Sequence, residues 1–435
     1  MQFDYIIIGS GIAGLHTAYR LKQRGKKVLV LEQESYFGGR MSTNFVNGQP
    51  VDFGAKFIAN LYKYMLPLAK ELGVELVPIN LKQAAIVKNG KLYPFDGQKR
   101  FAGAFLYNGI SFKAKLQLCF ATLVRLIQYR KIDFYKLEDA LQLDDKSIRD
   151  DFRDFAGHEG YDHVVELFNQ NVLFYPTKDF SRLAFYSVLL KLVKIKTFTF
   201  REGVGQLCQK MAAEVPVELN TKVTSVKQTR DGVFITAINN KQIKMHEAKN
   251  AIIAIPGVYV LDILKTPSPE EKTFFSSIRY ASTVQILCEG KTDLFPRFKV
   301  IEFLPAEKSN FTALGKVGSK KDASGRVTFI ASLRANTYKS LIKTGNFNSD
   351  NILYLLKEEF PDIEDLDILE MRTWESATPI IYPGFTKSVT KFLNRPDDSK
   401  NHVYFCGDYL ENPSTEGALT SSIKLLEKLR NILRN

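Results

Sequence analysis

The stretch "YIIIGSGIAGLHTAYRLKQRGKKVLVLE", residues 5–32, limits most tightly what the chain can fold into. Residues 5–8 form an uninterrupted apolar run, as a strand buried on both faces requires. Gly9-Ser10-Gly11-Ile12-Ala13-Gly14 then turns the chain into a helical pattern with Leu15, Ala18 and Leu21 on one side. A second buried strand, residues 27–31, ends at Glu32. Strand, G-x-G-x-x-G, helix, strand and acid together make the dinucleotide-binding arrangement; the glycine loop alone would be weak evidence. Gly9 allows the tight turn, Gly11 lets the backbone approach a pyrophosphate, and Gly14 lets the helix lie close on the strand. The helix amino terminus offers unpaired N–H groups to the phosphates. Glu32 can accept from both hydroxyls of an adenosine ribose, which disfavours a 2′-phosphate and hence NADP.

At 435 residues, two domains are the default expectation. Aromatic residues at 12% suit an apolar pocket. Cys119, Cys208, Cys288 and Cys406 are far apart, form no C-x-x-C pair and have no histidines at metal-ligand spacing, so they read as reduced core residues of a cytoplasmic protein with no metal site. The amino terminus reads as structural rather than as a leader, since Asp4 stands where a signal peptide is positive.

A net charge of +13 is compatible with nucleic acid, a membrane surface or plain solubility. Nucleic acid is disfavoured, because Lys and Arg are spread without a compact basic tract or a groove-reading motif. No segment offers the roughly 20 uncharged apolar residues of a spanning helix; "LAFYSVLLKLVKIK" from Leu183 is broken by Lys191, Lys194 and Lys196. In "FKAKLQLCFATLVRLIQYRKIDFYK", residues 112–136, Leu116, Phe120, Leu123 and Ile127 fall near helical spacing among Lys113, Lys115, Arg125, Arg130 and Lys131. Two readings stand: a core-facing helix with a solvated basic face, or an interfacial helix contacting the inner face of a membrane.

The kind of dinucleotide is indicated next. Gly38-Gly39-Arg40 lets the backbone fold over a cofactor while a guanidinium reaches a phosphate, and Asp52-Phe53-Gly54-Ala55 supplies another close backbone approach. With these residues the chain resembles the flavin-containing amine oxidase superfamily, which includes monoamine oxidases, protoporphyrinogen oxidases and phytoene-desaturase-like enzymes; the residues toward the carboxyl end, taken up below, resemble the last two. The resemblance implies FAD and an α/β fold: a Rossmann-like FAD-binding domain of the GR2 type interleaved with an α+β substrate-binding domain. It further implies residues 1–80, 200–265 and 395–435 in the FAD domain, and 81–199 and 266–394 in the substrate domain with a helical insert. Gly203 and Gly205 before a short amphipathic helix look like the return into the FAD domain, and "TPSPEE", residues 266–271, like the second departure. Val223 matches the family position whose backbone meets the adenine.

"FCGDYLENPSTEGALTSS", residues 405–422, resembles the family's carboxyl-terminal motif. There the resemblance places Gly407-Asp408 at the ribityl and phosphate part of FAD, and Glu416-Gly417-Ala418 at a helix start aimed at the flavin. For Glu416 a plain role as a first-turn acid complementing the helix dipole stays open. "RYASTVQILCEG", residues 279–290, and "RVTFIAS", residues 326–332, read as strands flooring the substrate pocket. Amine oxidases of this kind place a lysine on that floor near the flavin; the best placement here is Gln285, and residues 279–290 contain no lysine. No counterpart of a flavin-linking cysteine is visible, so FAD is expected to be non-covalent. Trp374, Pro379, Tyr382 and Gly384 resemble the W-x-x-x-x-P-x-x-Y-x-G arrangement of the protoporphyrinogen oxidase branch, with Tyr382 as an aromatic wall over the flavin and Trp374 as either core anchor or site residue.

These residues point to an FAD oxidoreductase taking hydride from a C–H bond of an apolar substrate, such as a porphyrinogen or a polyene, and passing electrons to oxygen or a quinone. An amine oxidase, a redox-neutral isomerase and a non-catalytic FAD-binding partner are the alternatives.

Overall fold

The computed structural model describes residues 3–79, 83–96, 106–193, 195–318, 324–395 and 401–432. Strand Phe3–Ile8 lies between parallel neighbours Val28–Leu31 and the end of Gln242–Ile253, with Val217–Glu218 beyond Val28–Leu31 at the edge. Ile6, Ile7 and Val30 have no accessible surface, as the continuous apolar runs require of strands covered on both faces.

Strand Gln242–Ile253 serves two environments, and its sequence changes character accordingly. Its first half, QIKMHE, is mostly polar and pairs antiparallel with Val233–Asn239, which pairs in turn with Thr221–Gln228. Its last three residues, Ala251, Ile252 and Ile253, are fully buried between Phe3–Ile8 and the late strand Val403–Phe405. A residue from near the carboxyl end of the chain is thereby set beside the opening glycine loop.

A second sheet runs Glu364–Pro379, Tyr280–Lys291, Val327–Leu333, Phe311–Lys316, Val300–Phe303, Ala84–Lys88, Lys91–Phe95. The last two form a hairpin inside a region, about residues 80–200, that is mostly helical by periodicity; at five residues each, they are too short for periodicity to separate them from their surroundings. Val284, Ile286 and Cys288 pack on one face of this sheet with Tyr338, Ile352 and Leu356 from helices Ala335–Lys343 and Ser349–Glu359. Leu287 and Ile330 face the other way, against Val51 and Phe53. Helix Pro269–Ser277 starts where residues 266–271 predict, with a capping box between Ser268 and Glu271. Helices Phe112–Tyr129, Ile148–Ala156 and Arg182–Val193 close the space over the second sheet. No helix among the described residues is long and apolar enough to cross a membrane.

Candidate active site

A chamber of about 1270 Å³ runs from the glycine loop, past the second sheet, to the helices of the insert. At the loop end, Gly11, Ile12 and Ala13 line it. Helix Ile12–Gln23 has no side-chain cap, so its first N–H groups open toward the chamber, and a Cβ added at Gly11 would meet nothing within 4 Å. Gly14 is required for another reason: its Cβ would lie 2.1 Å from the Gly9 carbonyl oxygen. Gly9 and Gly38 both have φ near +100°, and the Gly38 amide donates to the Ser10 carbonyl at 2.8 Å, tying the second glycine turn to the first.

Two further motifs interlock. The Ala55 amide donates to the Arg40 carbonyl at 2.8 Å, and a Cβ at Gly54 would strike that same oxygen at 2.1 Å. Arg40 Nη1 donates to Asp408 Oδ2 at 2.5 Å and to the Ala377 carbonyl at 3.1 Å, while the Tyr280 hydroxyl donates to Asp408 Oδ1 at 2.8 Å. Burial works against the Arg40 charge, but the Asp408 carboxylate outweighs it and holds the guanidinium above its ordinary value. Arg40, Gly38, Gly407, Asp408 and Ala418 all line the chamber, so residues near both ends of the sequence meet there.

The middle of the chamber is dominated by Lys56. Its side chain is exposed, yet the surface it exposes is chamber wall, and burial pulls its ammonium down to about 8. Lys56 Nζ donates to Gln285 Oε1 at 2.8 Å; that oxygen also accepts from Ser332 Oγ at 2.9 Å, and Gln285 Nε2 donates to Thr283 Oγ1 at 3.1 Å. Asp52 stands nearby, its carboxyl pushed up to about 6 by burial against the opposing hydrogen bonds from Thr43 Oγ1 and the Val204 amide.

At the far end, a π-helical turn, Asp162–Glu166, interrupts the helical run from His158 to Val172. In an uninterrupted helix His163 and Asn171 would project about 80° apart; the extra residue of a π turn brings them nearly into line. Both line the chamber, and His163 Nε2 and Asn171 Nδ2 are buried without a hydrogen-bond partner among the described residues, as is the Tyr107 hydroxyl beside them. Phe174, also in the lining, holds φ at +66°, a conformation uncommon outside glycine.

The family model for flavin containing amine oxidoreductase matches residues 12–424. The chain belongs to that family. FAD is the cofactor of that family, and so of this chain. It is 28% identical over 290 residues to amine oxidase [flavin-containing] A of Canis lupus familiaris, covering 62% of this chain and 53% of that enzyme. The chain thus spans about half the length of that relative, and a shorter match to the trout amine oxidase spans 19% of it. Wild-type putrescine oxidase bound to putrescine shares the fold with a TM-score of 0.76 at 15% identity, covering 99% of each chain. A fatty acid isomerase from P. acnes that produces CLA does so at 0.70 and 16%, covering 98% of each.

Several residues expected around the flavin are not among those that line the chamber. The Glu416 carboxylate is fully buried and does not line the chamber; it accepts from the Tyr64 amide at 2.8 Å, the Met65 amide at 3.0 Å and the Tyr135 hydroxyl at 2.8 Å. It caps helix Met65–Glu71 instead of its own, because those amides are the unpaired donors within reach. Gly417 answers to packing: its Cβ would lie 2.1 Å from the Asn412 carbonyl oxygen. Tyr382 is outside the lining as well; its hydroxyl donates to the Ser277 carbonyl at 3.0 Å and its ring packs on Phe385 and under the Arg279 guanidinium. Val223 sits in the core beside a strand irregularity rather than on the chamber. Glu32 is also behind the lining: Oε2 accepts from the Ser10 amide and hydroxyl, and Oε1 from the Glu34 amide. Gln285 is buried behind Lys56 and holds it in place.

Gly39 follows the chamber-lining Gly38 in the same turn, at φ +54°. Trp374 does line the chamber and donates from Nε1 to the Phe53 carbonyl at 2.9 Å. Cys406 is buried with its thiol pushed up to about 12 and lies outside the lining. Lys56 was legible only as the residue after the D-F-G-A stretch. Residues 279–290 contain no lysine, but Lys56 reaches Gln285 on that strand from a different part of the fold. The His163 and Asn171 pair carries no sequence signal that separates it from an ordinary helix.

Proposed function

We propose that this oxidoreductase acts on an apolar substrate, taking hydride from a C–H bond and passing the electrons to oxygen or a quinone. One observation carries the reading: beyond the glycine-loop end, where FAD would lie, Leu118, Phe152, Phe168, Phe185 and Leu189 dominate the chamber walls. Such walls favour a porphyrinogen, a polyene or a similar apolar molecule over a small polar one. The Lys56 ammonium adds a penalty for a protonated amine entering the same space.

Bound FAD supplies the hydride acceptor. The glycine loop with Gly9, Gly11, Ala13 and Gly14, the Gly38-Gly39-Arg40 turn, Gly54-Ala55, and Gly407-Asp408 with Ala418 are the residues that would hold it, non-covalently. Lys56, positioned by Gln285, places one positive charge in the chamber, and the aromatic and aliphatic walls exclude water. The fatty acid isomerase among the solved structures supports the view that this fold accommodates a long apolar chain.

The test is anaerobic mixing of the FAD-loaded protein with porphyrinogens, unsaturated fatty acids or polyenes, and simple amines in parallel. Loss of the oxidised flavin's visible absorbance with an apolar compound is expected. Bleaching by amines alone overturns the proposal in favour of amine oxidation, and turnover only after prior reduction would point to the isomerase alternative.

A further inference from the structure

Helix Phe112–Tyr129 has an apolar face on the wrong side. Leu116, Phe120, Leu123 and Ile127 are 50, 62, 56 and 60% exposed. At 100° per residue these four fall within an arc of about 60°. The exposed edge of Phe155 extends the patch, its ring 6.2 Å from that of Phe120. The opposite side of the helix is buried through Ala114, Leu118, Ala121 and Thr122, and Leu118, Cys119 and Thr122 line the chamber. A surface helix needs one apolar side to reach its core; this one already has it, so the outer stripe is surplus to folding.

The charges around the stripe identify its partner. Lys113, Arg130 and Lys131 are exposed at its borders, with Lys115 alongside, and residues 112–132 contain no acid. Arg125 is turned inward to Asp151 at 3.2 Å and leaves the stripe itself uncharged. A second copy of the chain would bring two lysine-rich borders together, which like charge opposes. An apolar stripe bordered by cations fits the boundary between headgroups and acyl chains of an anionic membrane. We propose that this face docks on an anionic lipid bilayer, with the helix lying in the interface rather than crossing it. One helix thickness then separates lipid from the chamber. The inference goes beyond the proposed substrate class and does not depend on it.

The experiment is co-sedimentation of the full-length FAD-loaded protein with vesicles of phosphatidylcholine alone or mixed with phosphatidylglycerol, at low and high salt. Binding to the mixed vesicles that weakens with salt is expected. The double variant Phe120→Ser/Leu123→Ser should bind at least about tenfold less, since two exposed apolar side chains no longer enter the interface. A second variant, Lys113→Glu/Lys131→Glu, should lose the preference for phosphatidylglycerol. All four side chains point outward, so unchanged flavin content and melting temperature serve as the folding check, and either variant suffices if the other fails it. Absence of binding to mixed vesicles at low salt overturns the proposal. So does a dimer, seen by light scattering, that Phe120→Ser/Leu123→Ser abolishes, because the stripe would then belong to a second copy.

Discussion

Replacing Lys56 by methionine removes a charge from the chamber while nearly keeping the length of the side chain. Burial draws this ammonium from its ordinary 10.5 down to about 8, against the pull of Asp52 in the other direction. At about 1.4 kcal/mol per tenfold change, that amounts to about 3 kcal/mol of penalty. The side chain keeps accessible surface inside the chamber, so solvent screening reduces the figure to about 1–2 kcal/mol. The sign follows from the two end states. Below pH 8 the lysine is charged both folded and unfolded, and the folded chain bears the whole penalty. From pH 8 to 10.5 the folded chain releases its proton while the unfolded chain keeps it, and the penalty fades. The hydrogen bond to Gln285 does not reverse this, because Lys56 Nζ donates in either protonation state. Nor is Gln285 Oε1 orphaned by the substitution, since Ser332 Oγ still donates to it. Lys56→Met should therefore look better relative to wild type at pH 7 than near pH 10.5, by about 1–2 kcal/mol. Urea denaturation of both proteins across this range, with and without added FAD, measures the difference. A difference that does not change with pH refutes the argument, for it would mean that the ammonium is fully solvated in the folded protein.

Asp408→Ala leaves the Arg40 guanidinium and the Tyr280 hydroxyl without their shared acceptor; a loss of about 3–5 kcal/mol is expected by urea denaturation, together with FAD lost on gel filtration. Glu416→Gln should cost about 1–2 kcal/mol by weakening the cap on helix Met65–Glu71, yet leave the bound flavin's visible spectrum unchanged; a shifted spectrum would return Glu416 to the flavin. Gly417→Ala drives a methyl into the Asn412 carbonyl and should cost about 3 kcal/mol, read as a fall in melting temperature. Trp374→Phe removes the donor to the Phe53 carbonyl together with one ring of the indole and should cost about 1–3 kcal/mol.

The parts legible in the sequence are those whose chemistry is local. The loop around Gly9, Gly11 and Gly14 is readable because its spacing within a strand–turn–helix is a local pattern, and the capping box at Ser268 and Glu271 because two residues three positions apart define it. Lys56 was not, since it sits in a loop and its partner Gln285 lies 229 residues away on a strand of the second sheet. Glu416 shows a different limit: an acid in a first turn predicts a capping role, but not whose amides it will cap. The stripe on helix Phe112–Tyr129 shows a third. Periodicity shows that apolar residues share a face but carries no sign, so the same spacing describes a helix facing its core and one facing away from it.

The ion pair between Arg40 and Asp408 spans 368 residues of sequence. At about 5–20 residues per second, a ribosome needs roughly 20–70 s to travel that distance. Through this interval the glycine loop, the Arg40 turn and the whole second sheet have emerged, yet strand Val403–Phe405 and helix Thr415–Ile432 have not closed the loop end of the chamber. A nascent chain can therefore fold most of its mass before it can complete the loop-end wall. Any product cut short before Gly407 would carry the signature sequence of its family and lack Gly407, Asp408 and Ala418 from the wall beside it. Synthesis of residues 403–432 is the event that closes the loop end of the chamber.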